Sequence, residues 1–192
     1  MCTGSLAEAG KLQFSHKSFS DWLTGEHSGE YKVKREDGDA MLAETCLVRI
    51  RGATDRQAGD SAPAWGYRYA LQHGVAHLLG AGRLKEARDL VLENVAWLMA
   101  RSADGLGIME DCRRLTDAAS VSGSGSDRVV DLVRRALDLS MSELRKDPRR
   151  LPGQLVGRLM GSGASSKADA DGGALSTSEI RRFLKRLKEY QG

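Results

Sequence analysis

The sequence predicts a mostly α fold: a helical array of antiparallel helices. Three observations carry this. The 192 residues include only three prolines and 5% aromatics, while Leu, Ala, Arg and Glu are abundant. Apolar residues recur at i, i+3, i+4 and i+7 over long stretches, and Asp, Asn, Pro or Gly stand where those stretches begin and end. Sandwiches and barrels need more Val, Thr, Tyr and hairpin-turn pairs than this chain holds.

The first element is Lys11–Leu23, a strand-like entry at Lys11–Phe14 followed by a short amphipathic helix. Phe19, Trp22 and Leu23 share one face of that helix, and Gly25 stops it. Tyr31-Lys-Val33 is expected to be either one short strand or a β-ribbon arm. Asp39 is a candidate N-cap for a helix running to about Arg51, with Leu42, Ala43, Cys46, Leu47 and Ile50 inward and Gly52 after its end. Residues 53–62 have no apolar period and read as a loop.

Past Pro63, a helix over about 64–79 is apolar on several faces, which predicts packing on more than one side. Gly80-Ala-Gly82 breaks it. Arg83–Leu92 returns with Leu84, Ala87, Leu90 and Val91 inward, and Asn94 caps a helix over 95–103. Such tight turns favour antiparallel neighbours. A weak helix is expected over Leu106–Leu115, then a flexible Val121–Ser126 connector. Asp127 caps a strong helix to about Arg145, with Val130, Val133, Leu137 and Met141 on one ridge and Leu132, Ala136, Leu139 and Leu144 beside it. Asp147-Pro148 starts another helix, which Pro152 restarts, with Leu155, Val156, Leu159 and Met160 inward. Residues 161–175 read as a Gly/Ser/Ala/Asp linker. Ser176–Glu179 matches a capping box for a last helix burying Ile180, Phe183, Leu184 and Leu187.

Composition limits the function classes. At 41% hydrophobic and 29% charged, the chain can bury a core of one domain or one and a half. It has no apolar run of membrane-spanning length, so no membrane partner is expected. Met1-Cys-Thr-Gly-Ser-Leu6 lacks the basic and apolar parts of a signal peptide. Cys2, Cys46 and Cys112 are odd in number and far apart, which points to a reducing, cytoplasmic setting. The net charge of +3 is unevenly spread. Residues 1–127 carry 15 basic and 18 acidic side chains, and residues 128–192 carry 14 and 8. A basic segment of this kind is either a set of solvated helix faces or a surface for nucleic acid, anionic lipid or an acidic partner.

Two histidine features stand out. His73 and His77 lie four apart on one helix. That spacing suits a metal pair, but Gly74-Val-Ala76 between them supplies no Glu, so packing between helices is the expected role. His16 stands just before a helix start, where it either caps the helix or offers a ring N–H to a phosphate oxygen. Neither Gly105-Leu-Gly107 nor Gly123-Ser-Gly125 has the Lys-Ser/Thr ending of a phosphate loop, and no Gly-x-Ser-x-Gly elbow is present. No self-contained catalysis is expected, and no metal or cofactor in this chain.

Phe14-Ser-His-Lys-Ser-Phe-Ser-Asp-Trp-Leu23 resembles the end of the winged-helix region in signal-transducing NTPases with a NACHT or NB-ARC core. Further similar stretches follow in family order: Leu42–Leu47, Tyr69–Leu78, Trp97-Leu98 and Asp147–Leu159. The last is similar to the helical arm before the propeller of NACHT/WD-repeat proteins. The resemblance covers about residues 11–160. It implies a winged-helix-like remnant over 1–52 and a helical arm domain over 63–160, which the linker over 161–175 joins to the C-terminal amphipathic helix over 176–192. It also implies a non-catalytic connector that couples nucleotide state to a downstream sensor, with an upstream NTPase core and a downstream repeat domain as partners. By the same resemblance, His16 corresponds to a histidine that contacts a nucleotide phosphate, so ATP or ADP is implied for a full-length relative. Because this chain lacks the phosphate loop and the Mg²⁺-binding strand, it is expected to be a fragment or a domain acting with a partner. The competing expectation is a basic helical module that binds nucleic acid.

Overall fold

The computed structural model describes residues 24–25, 29–30, 32–54, 65–103, 106–122, 127–163 and 173–191. These form eight α-helices: α1 (Arg35–Thr54), α2 (Trp65–Gly80), α3 (Leu84–Glu93), α4 (Val95–Ser102), α5 (Leu106–Val121), α6 (Arg128–Leu144), α7 (Leu151–Gly163) and α8 (Gly173–Gln191). A 3₁₀ turn, Pro148–Arg150, leads into α7. There is no strand among the described residues, in keeping with the mostly α class. No described helix is long and apolar enough to cross a membrane.

α1 and α2 are antiparallel, as their register shows. Asp39, near the start of α1, meets the end of α2 at His77 and Gly80. Cys46 and Ile50 lie against Gly74 in the middle, and Arg49 lies beside Gly66 near the start of α2. The α2–α3 turn explains the reversal that follows. Gly82 has φ +70°, Arg83 N–H donates to the Leu78 carbonyl at 2.8 Å, and Gly82 N–H donates to the Leu79 carbonyl at 3.0 Å. This is the paired bond pattern that ends a helix on a left-handed residue, where a side chain would be strained.

The caps expected at Asn94 and Asp127 are present. The Asn94 side-chain oxygen accepts from Trp97 N–H at 2.9 Å. The Asp127 carboxylate accepts from Val129 and Val130 N–H at 3.2 Å each. Asp147 accepts from Arg149 N–H, Pro148 occupies the first position of the 3₁₀ turn, and Pro152 lies in the first turn of α7, where its missing N–H removes no helical bond.

One cluster of buried side chains runs from Ala43 on α1 to Leu187 on α8. Trp97 and Phe183 are its largest fully buried members. Among the described residues the Trp97 Nε1–H has no hydrogen-bond partner, a cost of about 1–3 kcal/mol relative to a bonded donor. Polar ties connect the helices around this core. Arg88 on α3 reaches both Asp127 and Glu179, joining α3 to the start of α6 and to α8. Arg158 on α7 donates to the buried Ser140 hydroxyl on α6 at 2.8 Å.

Several expectations need correction. α1 begins at Arg35, a full turn before Asp39, so Asp39 is not its N-cap; the carboxylate is used by His77 instead. Glu36 and Asp37 place negative charge at the first turn, which suits the helix dipole. Gly52 does not stop α1, which runs on to Thr54. Lys32 and Val33 form no strand. The Lys32 N–H closes a turn on the Gly29 carbonyl at 3.2 Å, and no described strand lies alongside to pair with them. α5 extends beyond Leu115 to Val121, because Ile108, Cys112, Leu115 and Ala119 continue one buried stripe. α8 starts at Gly173, three residues before the expected Ser176 cap, and α7 runs to Gly163, so both helices enter the expected linker. Leu139 and Met160, expected inward, are exposed at 64% and 54%. The Lys11–Leu23 element and residues 55–64 lie outside the described residues.

Candidate functional site

Three helices that are not consecutive in the chain enclose an open groove of about 680 Å³. α1 contributes Leu47, Ile50 and Arg51. α3 contributes Glu86, Asp89, Leu90 and Glu93, with Asn94, Val95 and Ala96 continuing into α4. α8 contributes Arg186, Glu189 and Tyr190. The spacing within each helix is i, i+3, i+4, so each side of the groove is a single helical ridge.

The floor is apolar, formed by Leu47, Ile50, Leu90 and Val95, all buried. The rim is charged. Arg186 reaches Glu93 at 3.2 Å and ties α8 to α3. Glu86 is hydrogen-bonded by Arg83, which holds its carboxyl below the usual carboxylate range and keeps it ionised. Tyr190 stands half exposed at the mouth.

A second cluster joins α1 and α2 on another side. Asp39 Oδ1 lies 2.7 Å from His77 Nδ1, and His77 Nε2 lies 2.8 Å from the Tyr69 hydroxyl. Burial, with Cys46 and Asp39 nearby, pushes the Tyr69 phenol upward, so its O–H is present to donate. The His77 ring thus bridges the two, with Nδ1–H donating to Asp39 and Nε2 facing the Tyr69 hydroxyl. The His73 ring lies tilted against Tyr69, with ring centroids 4.7 Å apart. The packing role expected of the pair therefore falls to His77, while His73 lies exposed on the outer side of α2. No group of three or more His, Cys, Asp or Glu side chains sits at metal-binding spacing among the described residues.

The other sequence candidates divide as follows. His16 and Cys2 lie outside the described residues. Cys46 and Cys112 are free, buried thiols. Among the described cations after residue 127, Arg134 and Arg135 pair with Asp131, Lys146 and Arg150 with Glu143, Arg149 with Asp147, and Arg186 with Glu93.

Sequence reading placed Leu47, Ile50 and Leu90 inward but missed the groove. Its sides come from helices far apart in sequence, and Tyr190 carries no local signal that would single it out.

Comparison of the chain with protein-family models, with curated proteins and with solved structures returns no match.

Proposed function

We propose that this chain is a non-catalytic helical connector, working by docking a protein segment and coupling one part of a signalling assembly to another. The observation that supports this most is the groove between α1, α3–α4 and α8. A segment seated there touches early and late parts of the array at once, so its arrival or departure bears on how those parts sit together. Grooves of this kind, apolar at the floor and charged at the rim, suit helix-in-groove recognition. The resemblance supplies the finer form of the proposal: a regulatory arm of a NACHT or NB-ARC NTPase, joining a nucleotide-binding core to a sensor.

Two measurements test the proposal. Amphipathic helical peptides should shift the backbone amide resonances of Leu47, Leu90 and Tyr190 while leaving α6 unmoved; if no such peptide shifts them, the docking reading fails. Calorimetric titration of the chain with ATP and with ADP should give no binding heat. Micromolar affinity for either nucleotide would sink the non-catalytic connector as stated.

A further inference from the structure

We infer that the occupant of the groove is a short cationic amphipathic helix supplied by a protein partner, an inference that rests on the docking reading above.

The shape argues for a helix. Three ridges with i, i+3, i+4 spacing, one each on α1, α3 and α8, face a common space. Side chains of a fourth helix can interdigitate with such ridges, as helices do when they pack in pairs. The α3 side runs from Glu86 to Glu93, about 10 Å at 1.5 Å per residue, so the contact spans about two turns. An extended strand would find no sheet edge here, because the walls are helices whose backbone groups bond within themselves.

Charge argues for a cation. Four carboxylates line the groove, from Glu86, Asp89, Glu93 and Glu189, against the two guanidinium groups of Arg51 and Arg186. Within the groove Arg186 holds Glu93, whereas the cations that pair with Glu86, Asp89 and Glu189 are Arg83, Lys85 and Lys185, and none of these three lines the groove. Lysines flanking an incoming apolar stripe would therefore meet carboxylates on the α3 rim and at Glu189. An acidic helix would meet the same charges with the opposite sign, and such mismatches act as a filter on partners.

The test uses the full chain and three fluorescent peptides of about twelve residues. One is a Leu/Lys/Ala amphipathic helix, the second has every Lys replaced by Glu, and the third has the composition of the first with its stripe scrambled. The cationic helix should bind at least about tenfold more tightly than the acidic one, with the gap narrowing as salt rises. The paired variant Glu86→Gln with Asp89→Asn should close most of the gap. Both positions are on the rim, and circular dichroism checks that the variant folds. Tyr190→Ala should weaken the cationic peptide several-fold. Equal or tighter binding of the acidic helix overturns the charge assignment and leaves docking intact. Binding of the scrambled peptide as tightly as the amphipathic one overturns the helix assignment. Failure of all three peptides overturns the docking reading itself. Self-association abolished by Tyr190→Ala, seen by sedimentation, would overturn the partner in favour of a second copy of this chain.

Discussion

Asp39 and His77, 38 residues apart in the chain, share a 2.7 Å hydrogen bond that fastens the start of α1 to the end of α2. Both side chains are largely buried, so losing one leaves the other short of a partner. Asp39→Ala should cost about 1–2 kcal/mol of stability. Gly80→Ala should mimic it, because a Cβ at Gly80 would overlap the Asp39 carboxylate. Urea denaturation of the two single variants and the double variant checks this. Their effects should fall well short of additive, since both act on one bond.

A stronger effect is expected at Arg101 and Asp111, which pair at 2.7 Å with side chains only 6% and 2% exposed. Arg101 also donates to the Gln72 carbonyl, so the pair anchors α4 and α5 against α2. Asp111→Ala should cost about 3–5 kcal/mol, most of it the penalty for an unbalanced buried charge. Replacing both residues together, Arg101→Met with Asp111→Leu, should recover much of that loss. A thermal melt of the single and double variants distinguishes this from simple loss of packing.

Glu110 carries the clearest acid-side pH dependence. Hydrogen bonds from Arg113 and Arg114 pull its carboxyl down to about 2. Since the folded value lies below the unfolded one, its contribution is present above about 4.5 and is lost as pH falls toward 2. Glu110→Gln should flatten the stability profile over that range. The group is exposed, so the difference should be small and should shrink in high salt.

The buried thiols run the other way. Burial pushes Cys46 up to about 11 and Cys112 up to about 12, so neither is a thiolate near pH 8. Alkylation at that pH should leave both unmodified in the folded chain and label them once it is unfolded. Peptide mass mapping of the labelled sites reads the outcome directly.

Where local chemistry decides structure, the residues announced it. Asn94, Asp127 and the Asp147-Pro148 pair ended up at the helix starts their side chains suit, and Gly82 at a left-handed turn. The burial of Phe183 and Leu187 followed from helical spacing. Asp39 misled for a physical reason: a capping residue type four positions into a helix is free to serve another element, and His77 was its partner. Leu139 and Met160 misled because an apolar stripe shows which residues could be buried, not whether a neighbour arrives to cover them. The groove was illegible for a related reason. Each of its ridges looks like ordinary helix surface until α1, α3 and α8 are placed together.

The seating of α8 has a consequence for synthesis. Phe183 and Leu187 complete the core, and Glu179 supplies one of the two carboxylates that hold Arg88. A nascent chain that has emerged only as far as α7 therefore presents an unfilled apolar face beside a half-satisfied arginine. Until α8 follows, that surface is available to chaperones and to neighbouring chains, so a pause in translation between α7 and α8 is where misassembly would start.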